Sequence, residues 1–401
     1  MGTLLFFWKG RKAAYNPFMN PWQTLFARAD ESPRYLVGVM SGTSGDGADA
    51  ALVRFDDSGA VLVSWAFTPF SPDLRGRVLA AQNGNATPEA LSRLSVELAH
   101  VYADAVRSLS APVTVLAVGC HGQTVSHTPH GDYPATLQLL DAATLAHRTG
   151  LPVVSQFRQA DVALGGQGAP LVPFADWRLL THPTINRAVQ NIGGIGNVTY
   201  LPAGGAAADV IGFDTGAGNM LMDYFAAWAT GGKQTFDADG AIAALGTVDE
   251  SLMRWLFEHP FLARTPPKSA GREEFGVGYA AQIEAFAVTN ALRPADVLAT
   301  VTAFTAGSIA DAYANFLPQL PDEVIVSGGG AKNPVLLRYL AEKMSPIPVR
   351  TSDELGINSA SREAVAFAVL ADETLRGRPA SLPAVTGASR AAVSGSVTLP
   401  P

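Results

Sequence analysis

The chain has 401 residues, a formal net charge of -7 at pH 7 and 48% hydrophobic residues, enough for two or three domains with sizeable cores. The acidic balance and the lack of a long basic run argue against nucleic acid or an anionic membrane as a partner, so we expect a small-molecule ligand. A single cysteine, Cys120, excludes an intrachain disulfide and indicates a reducing compartment; we expect it to be buried at a strand end.

The first 32 residues differ in character from the rest of the chain. They contain an apolar patch, LLFFW, followed by a basic cluster, KGRK, which reverses the order found in a secretory signal peptide. We interpret residues 1–32 as an N-terminal extension that is disordered or loosely docked. No apolar run in the sequence approaches the roughly 20 residues of a membrane span, so we expect no membrane partner.

Strand and helix patterns then alternate, as is typical of an α/β protein. Tyr35–Met40 and Ala48–Phe55 are predicted strands on either side of a loop of small residues. Residues 87–110 are a predicted helix, because Thr87 can cap it and its apolar residues fall on one face. The apolar run Val113–Val118 is a predicted strand that ends at GCHGQT.

The second half of the chain repeats this plan. Ala188–Ile192 and Val198–Leu201 are predicted strands around the loop GGIGN. Residues 294–317 are a predicted helix, and Glu323–Ser327 is a predicted strand that ends at GGGAKN. The repetition favours two similar α/β domains that face each other across a cleft.

The predicted domains are residues 33–155 and residues 156–401, after the extension of residues 1–32. No low-complexity linker separates them. The boundary is therefore predicted only to lie between residues 150 and 190.

The loop between the first two predicted strands, SGTSGDG, contains only small residues and Asp. Such residues let backbone N–H groups and hydroxyls come close to a phosphate. The loop lacks both the GxxxxGK(S/T) pattern of a P-loop and the strand-to-helix GxGxxG of a dinucleotide site. Two such hairpins, one in each domain, would hold the phosphates of a nucleotide from both sides; an ordinary flexible hairpin is the alternative.

Asp214 lies in GFDTGAGNMLMDYF, between a strand-like VIGF and an apolar helix. A carboxylate at that place can act as a base toward a hydroxyl or water. The alternative is an Asx-turn aspartate that caps the next helix. Farther along, SGGGAKN offers a flat glycine surface on which an adenine ring could stack, or forms an ordinary tight turn between a strand and a helix.

Together these stretches resemble the anhydro-N-acetylmuramic acid kinases, from about Tyr35 to the C-terminus. Several of the matching stretches are long and unusual, and they occur in the same order. They are VMSGTSGDGADAALV, GCHGQTVSHTP, TGLPVVSQFRQADVALGGQGAPLVPF, QNIGGIGN, GFDTGAGNMLMD, FDADGAIAALG, PPKSAGREEF, VSGGGAKNP, EAVAFAVLA and LPAVTGAS.

The resemblance implies two actin-like domains, of the RNase H-like, hexokinase type, that flank an active-site cleft. It also implies a bacterial, cytoplasmic kinase that forms a homodimer and uses ATP and Mg²⁺. Water would open the 1,6-anhydro bond of anhydro-N-acetylmuramic acid, and oxygen O6 would receive the γ-phosphoryl group. The product, N-acetylmuramic acid 6-phosphate, is an intermediate of cell-wall sugar recycling.

The resemblance also assigns roles to individual residues. Asp214 matches the catalytic aspartate, which would deprotonate the attacking water. Asp46 and Asp49 would hold Mg²⁺ through water. The residues expected to bind the nucleotide are Gly42, Thr43, Ser44, Gly45, Asp46, Gly47, Ala48, Asp49, Gly193, Gly194, Asn197, Gly328, Gly329 and Gly330. The residues expected to bind the sugar are His121, Gln123, Gln138, Arg158, Asp161, Gln167 and Glu363.

Two of these assignments have open alternatives. Arg158 would pair with the lactyl carboxylate of the sugar, or would form a structural ion pair with Asp161 or another carboxylate. Glu363 would face the sugar, or would only favour the N-terminus of its helix.

The chain departs from the family pattern at five positions, which are Gly45, Leu140, Gln156, Ala217 and Ala270. Gly45 replaces a leucine and is expected to loosen the first loop. Gln156 removes a carboxylate, and Ala270 removes a hydroxyl. Because of these departures, two alternative functions stay open at this point: a kinase of another 1,6-anhydro sugar such as levoglucosan, and a catalytically inactive sugar or nucleotide sensor.

Overall fold

A computed structural model describes residues 20–57, 59–109, 112–356, 359 and 361–401. These residues form two compact units. Unit 1 comprises the described residues within 1–179 and 360–401, and unit 2 comprises those within 180–359.

The secondary-structure elements are numbered here in chain order. The strands are β1 (Arg34–Ser41), β2 (Gly47–Asp56), β3 (Gly59–Pro69), β4 (Val115–Thr128), β5 (Ala135–Leu139), β6 (Val153–Ser155), β7 (Arg187–Ile192), β8 (Ile195–Leu201), β9 (Ile211–Ala217), β10 (Glu323–Ser327), β11 (Val349–Thr351) and β12 (Ser396–Thr398). The helices are α1 (Pro21–Ala29), α2 (Pro72–Gln82), α3 (Pro88–Ser108), α4 (Ala142–Thr149), α5 (Gln159–Ala163), α6 (Val172–Leu180), α7 (Asn219–Ala229), α8 (Glu250–Phe257), α9 (Arg272–Phe275), α10 (Val277–Thr289), α11 (Pro294–Phe316), α12 (Pro334–Met344), α13 (Arg362–Leu375) and α14 (Pro383–Thr386). Short 3-10 helices cover Ala207–Asp209, Ala238–Gly240, Ala243–Leu245, Pro260–Ala263, Gly329–Lys332 and Asp353–Leu355.

Five strands follow the same order in the sheets of both units, and the sheet of unit 1 has two more, β5 and β12. In unit 1 the path is β12-β6-β4-β1-β2-β3, with β5 paired to β4, and in unit 2 it is β11-β10-β7-β8-β9. In each unit the first three strands along the chain form an antiparallel meander, which is β1-β2-β3 in unit 1 and β7-β8-β9 in unit 2. The next strand, β4 or β10, pairs in parallel with the first strand of that meander. The predicted repetition and the predicted α/β class with two actin-like domains are therefore confirmed.

Most of the predicted elements are present. Thr87 caps α3, because its side chain accepts the N–H of Ala90, and β10 has the predicted bounds. Cys120 is buried, as expected, but it lies inside β4 and not at its end, because that strand continues through GCHGQT to Thr128. The sequence analysis missed β3, whose side chains are exposed or half-buried throughout and so lack the apolar run of a core strand.

Helix α13 packs against the sheet of unit 1 at unusually short distance. A Cβ atom added at Gly38 of β1 would lie 1.7 Å from the carbonyl oxygen of Ala364, and one added at Gly119 of β4 would lie 2.3 Å from that of Phe367. No side chain larger than hydrogen fits at these two places. The glycines therefore let the helix backbone rest directly on the central strands.

Ion pairs join α13 to the surrounding elements of unit 1. The guanidinium of Arg34 on β1 contacts both carboxylate oxygens of Asp372, with its Nη2 2.6 Å from Oδ2. Arg362, in the first turn of α13, pairs with the buried Asp176 of α6. Because these four groups are almost fully buried, removing one partner would leave an uncompensated charge in the protein interior.

Two predictions about chain organisation are wrong for the described residues. Residues 20–32 are not disordered, since they include α1, which has a capping box between Asn20 and Gln23; residues 1–19 lie outside the described residues. The second domain does not extend to residue 401, because residues 361–401 belong to unit 1; the break after residue 179 lies within the predicted range of 150 to 190. The chain returns to unit 1 through α13 and β12, and β12 pairs antiparallel with β6 of that unit.

Unit 2 is built around α11. This helix is long and apolar enough to cross a membrane by length and composition, but 83% of its most apolar window is buried inside the protein. Such burial is typical of the core helix of a soluble domain. Its buried face packs on α7, α8 and β9.

The close contact of α13 gives a stability prediction. We expect Gly38→Ala to lower the free energy of unfolding by roughly 3 kcal/mol or more, because the helix backbone must move to admit the methyl group. The measurement is urea unfolding followed by circular dichroism. Gly76→Ala is the matched control: no atom lies within 4 Å of its added Cβ, and it sits inside α2. The control should gain up to about 1 kcal/mol from helix propensity; equal stability of both variants would contradict the close packing.

Candidate active site

Asp214 lies on β9, opposite Asn197 of β8. Its own N–H donates to the carbonyl oxygen of Lys268 at 3.0 Å, and its Oδ2 accepts the N–H of Ala270 at 2.8 Å. The segment 268–270 thus fixes both the backbone and the carboxylate of Asp214. The alternative role as a helix cap is not observed, because α7 begins at Asn219 and no side chain caps it.

The surroundings of Asp214 change its acidity. Burial raises the pKa of Asp214 to about 6, while the hydrogen bond from Ala270 and the charge of Lys268 act in the opposite direction. The carboxylate is half-buried and keeps an exposed portion. A group with this pKa is ionised at neutral pH and is a stronger base than an ordinary aspartate.

Lys268 and Ala270 are functional candidates that the sequence analysis did not identify individually. Both lie in PPKSAGREEF, one of the stretches that resemble the family. Nothing in that stretch indicates that it hydrogen-bonds to Asp214. The contact made by Ala270 comes from its backbone N–H, so the missing hydroxyl at this position does not weaken it. Lys268 is more than 50 residues from Asp214 in the chain, and no local pattern connects them.

The Gly193–Gly194 hairpin, between β7 and β8, is fixed to the start of α7. The carbonyl oxygen of Gly193 accepts the N–H of Asn219 at 2.7 Å, and that of Gly194 accepts the N–H of Gly218 at 3.0 Å. A Cβ at Gly218 would lie 2.2 Å from the oxygen of Gly193, so only glycine permits this contact. The N–H groups at the start of α7 therefore donate to the carbonyl oxygens of the hairpin and cannot bind an anion. An anion at this place would bind the N–H groups of the hairpin itself.

The glycine turn at 328–330 lies beside the same hairpin. It follows β10, which runs parallel to β7, so the carboxyl ends of both strands meet at one edge of the sheet. Gly328 has φ +81°, and a Cβ there would lie 2.7 Å from the carbonyl oxygen of Ile192. A Cβ at Gly329 would lie 2.9 Å from the side-chain nitrogen of Asn219. The predicted tight turn between strand and helix is thus present, and its glycines are needed for packing within unit 2.

In unit 1, the predicted phosphate loop forms a turn between β1 and β2. The N–H of Gly45 donates to the carbonyl oxygen of Gly42 at 3.2 Å, and Ser44 Oγ donates to Asp46 Oδ1 at 2.7 Å. Gly45 has φ +58°, a conformation that glycine adopts without strain and leucine rarely does. Gly47, Ala48 and Asp49 belong to β2 itself.

Gln123 supports this loop from β4. It is fully buried, its Oε1 accepts the hydroxyl of Ser41 at 2.5 Å, and its Nε2 donates to the carbonyl oxygen of Gly42 at 3.0 Å. The amide is therefore engaged at both ends by the protein. It positions the loop and is not free to bind a sugar directly.

Two carboxylates of unit 1, Asp46 and Glu363, act on a third, Asp49. Asp49 Oδ1 accepts the indole N–H of Trp65 at 3.1 Å. The pKa of Asp49 is raised to about 6, mainly by burial; the nearby charges of Asp46 and Glu363 act in the same direction, and the hydrogen bond from Trp65 opposes them. The protein also raises the pKa of Glu363 by desolvation, against Arg362 and Arg158, although its side chain keeps an open solvent face. Such a concentration of negative charge favours a bound cation.

His121 and Arg158 form a hydrogen-bonded pair. Nδ1 of the buried His121 lies 2.8 Å from the carbonyl oxygen of Gly122, which assigns the ring proton to Nδ1. Nε2 then accepts from Nε of Arg158 at 2.9 Å, and Nη1 of Arg158 donates to the carbonyl oxygen of Gly168 at 2.7 Å. Burial and the neighbouring Arg158 hold the pKa of His121 well below its usual range, so the ring is neutral.

Arg158 is not paired with Asp161, whose carboxylate binds Gly168 and Thr386; the carboxylate whose charge acts on Arg158 is Glu363. Burial lowers the pKa of Arg158 to about 10, and the guanidinium stays charged at neutral pH. The N–H groups that the protein does not use are available for an anion. This arrangement suits a carboxylate ligand, because a guanidinium binds one through two parallel hydrogen bonds.

Asp161 is fully buried and makes only structural contacts. Its Oδ2 accepts the N–H of Gly168 at 2.7 Å, and its Oδ1 accepts the hydroxyl of Thr386 at 2.7 Å. The prediction that Asp161 binds sugar directly is therefore not supported by its geometry. It instead ties the turn that holds Arg158 to α14.

The other two predicted glutamines, Gln138 and Gln167, lie near this turn and are more exposed than Asp161. Gln138 on β5 donates from Nε2 to Thr136 Oγ1 at 2.7 Å. The backbone N–H of Gln167 donates to the carbonyl oxygen of Thr386 at 2.8 Å, and its side chain is half-buried. Both side chains keep capacity for a ligand.

Comparison with known proteins gives a consistent result. A family model described as anhydro-N-acetylmuramic acid kinase matches residues 34–400. A protein of that name from Salinibacter ruber is 44% identical over 398 residues, covering 94% of this chain and 99% of the relative. Another of that name from Acaryochloris marina is 45% identical over 377 residues, covering 91% of this chain and 100% of the relative. Among solved structures, a ROK family glucokinase from Streptomyces griseus, in complex with glucose and AMPPNP, aligns with a TM-score of 0.42 and 15% identity over 84% of this chain and 98% of that one.

The contacts of Asp161 give a prediction that separates a structural from a binding role. We expect Asp161→Asn to lower the free energy of unfolding by about 2 kcal/mol, because an amide cannot accept both hydrogen bonds. Thr386→Val, which removes one of the two bonds, should cost about 1 kcal/mol. Chemical denaturation measures both values. An Asn variant of unchanged stability would return Asp161 to the list of direct sugar ligands.

Proposed function

The chain belongs to the anhydro-N-acetylmuramic acid kinase family, and we propose that it opens 1,6-anhydro-N-acetylmuramic acid with water and phosphorylates oxygen O6 with ATP. The relatives support this substrate over levoglucosan or another anhydro sugar, and an active kinase over an inactive sensor. The product is N-acetylmuramic acid 6-phosphate, which we place in cell-wall sugar recycling.

The observation that carries the proposal is the environment of Asp214. Its carboxylate is fixed by Ala270, is partly open, and has a pKa of about 6. In the proposed step, Asp214 takes a proton from water as the water oxygen bonds to C1 of the sugar. The bond between C1 and O6 breaks, O6 bonds to the γ-phosphorus of ATP, and ADP leaves.

A single carboxylate suffices for this chemistry. A glycosidase needs a second carboxyl group to protonate the leaving oxygen. Here the leaving oxygen belongs to the same sugar, and the γ-phosphoryl group captures it. The rest of the catalysis is positioning of the nucleotide and neutralisation of its charge.

We further propose that the glycine loops bind ATP. The first loop contributes Gly42 to Asp49, with the hydroxyls of Thr43 and Ser44 toward the phosphates. Gly193, Gly194 and Asn197 contribute a second phosphate contact, and Gly328–Gly330 border the adenine. The support is that each loop reaches the surface through small residues, at which a phosphate can approach the backbone; these are Thr43, Ser44, Gly194 and Gly329.

The residues proposed to bind the sugar are fewer than the sequence suggested. Arg158 meets the lactyl carboxylate, while His121 holds the guanidinium in place. Gln138, Gln167 and Glu363 are the remaining direct candidates. Gln123 and Asp161 act indirectly, through the phosphate loop and through the turn that carries Gly168.

The residues of unit 1 fit a magnesium ion. Among the described residues no group of three or more potential ligands forms a complete metal site. Mg²⁺, however, usually keeps several waters and binds through one or two carboxylates together with substrate phosphates. Asp46 and Asp49 would hold the ion in this way, since the charge of Asp46 helps to raise the pKa of Asp49, and the ion would neutralise phosphate charge during transfer.

Two further expectations come from the family. We propose that the protein is cytoplasmic and that it forms a homodimer. Analytical ultracentrifugation of the purified chain tests the second, since a monomer at micromolar concentration would contradict it.

The first test of the reaction combines product analysis with one substitution. Purified protein, Mg-ATP and anhydro-N-acetylmuramic acid should release ADP and give a sugar heavier by water plus a phosphoryl group. Asp214→Asn should reduce the rate by roughly 10³-fold or more, because the amide cannot accept the proton from water. Release of ADP without the phosphorylated sugar, or full activity of the variant, would contradict the proposed mechanism.

The metal proposal is tested by the magnesium dependence of the rate. Asp49→Asn should raise the Mg²⁺ concentration needed for half-maximal rate by roughly tenfold, equivalent to about 1.4 kcal/mol of binding. Asp57→Asn is the control, because Asp57 is an exposed carboxylate in the turn after β2. Identical magnesium curves for Asp49→Asn and the unsubstituted protein would remove Asp49 from the site.

A further inference from the structure

The Lys268 side chain occupies an aromatic cage inside unit 2. Its Nζ donates to the carbonyl oxygen of Leu262 at 3.2 Å, and the side chain is almost fully buried. The ring centroids of Phe316, Phe261 and Phe213 lie 4.2, 4.8 and 5.9 Å from Nζ. Aromatic faces at these distances attract a cation and partly replace the water it loses.

The lysine in this cage remains a cation at neutral pH. Burial lowers the pKa of Lys268 to about 8, and Arg264 lowers it as well, while Asp311 of α11 and Asp214 oppose the decrease. A positive charge is therefore kept in an apolar surrounding, at a cost in desolvation. If the side chain served only to fill the cage, an apolar residue of similar length would do so without that cost.

The same residue is linked to the base through its backbone. Its carbonyl oxygen accepts the N–H of Asp214, and two residues later the N–H of Ala270 binds the carboxylate. The anchored side chain thus fixes the one segment that orients Asp214. The positive charge of Lys268 also favours the ionised form of Asp214.

We propose that Lys268 is a positioning residue for the reaction: its anchored side chain holds the segment that directs the carboxylate of Asp214, and its charge favours the ionised form of that carboxylate. The inference rests on the proposed role of Asp214 as the base. It assigns a function to a residue that does not contact the reacting atoms.

Three substitutions separate the two parts of this role. Lys268→Arg keeps the charge and a donor, Lys268→Gln keeps a donor without the charge, and Lys268→Met keeps neither. The readout is kcat/KM for the sugar as a function of pH. In the unsubstituted protein it should fall as pH drops below about 6, because protonated Asp214 cannot accept a proton.

The expected results differ between the variants. Loss of a nearby positive charge makes Asp214 harder to ionise, so the acid limb should move upward by roughly half a pH unit in the Gln and Met variants. It should stay in place in the Arg variant, even if kcat falls. The Met variant should also lose more of kcat than the Gln variant, because it has no donor for Leu262.

Two controls make the result decisive. Lys343→Met removes an exposed lysine of α12 and should leave the profile unchanged. If the Met variant fails to fold, the Gln and Arg variants decide the question. An acid limb at the same pH in Gln, Arg and unsubstituted protein would overturn the inference and leave Lys268 a structural residue.

Failure of the proposed function gives a different result. If the unsubstituted protein does not phosphorylate the sugar, the reaction is wrong, and the ionisation of Asp214 is followed instead by ¹³C NMR of labelled aspartate. A pKa for Asp214 that rises in the Gln variant and not in the Arg variant would still support the charge effect. Equal values in all three would refute it.

Discussion

Unit 1 depends on the direct contact between the backbone of α13 and the central strands β1 and β4, which Gly38 and Gly119 make possible. This contact brings a segment from the end of the chain onto a sheet formed near its beginning. It places Phe367 against the ring of His121, with centroids 4.7 Å apart, and so supports the pair that His121 makes with Arg158. It also sets Glu363, in the first turn of the helix, near enough to Asp49 to affect its acidity. The candidate ligands of unit 1 are therefore positioned by one packing constraint.

The repeated strand order explains why the small-residue loops occur where they do. In each unit the first two strands form an antiparallel hairpin, and a later strand runs parallel to the first. The hairpin loop and the end of that parallel strand then lie at one edge of the sheet. In unit 2 this edge carries the Gly193–Gly194 hairpin and the Gly328 turn, which touch through Ile192. In unit 1 it carries the loop at Gly42 and the part of β4 where Gln123 reaches that loop. The same topology thus supplies two comparable loop sites.

The acidic groups of the two units have different surroundings, which suits them to different tasks. Burial is the main cause of the raised pKa of Asp214, and the cation near it is Lys268, which aromatic rings enclose. Asp49 is raised both by burial and by two other carboxylates. The first environment suits the proposed base, which must accept a proton near neutral pH, and the second leaves a surplus of negative charge that the proposed metal ion would relieve. The separation of these roles follows from what lies around each carboxylate.

The sequence by itself determined the α/β class, the two-fold repetition, the approximate positions of eight secondary-structure elements and the choice of Asp214 as the candidate base. These features depend on local patterns: a period of apolar residues, a capping threonine, and glycines between strands. Tertiary structure alone decided that the C-terminal segment returns to unit 1, that Asp161 and Gln123 are held by internal hydrogen bonds, and that the backbones of Lys268 and Ala270 bind Asp214. Each of these depends on contacts between residues far apart in the chain, such as the 2.7 Å bond between Asp161 and Thr386. A polar residue in a loop looks the same in the sequence whether its partner will be a ligand or the protein itself, and only the fold brings the competing partner into place.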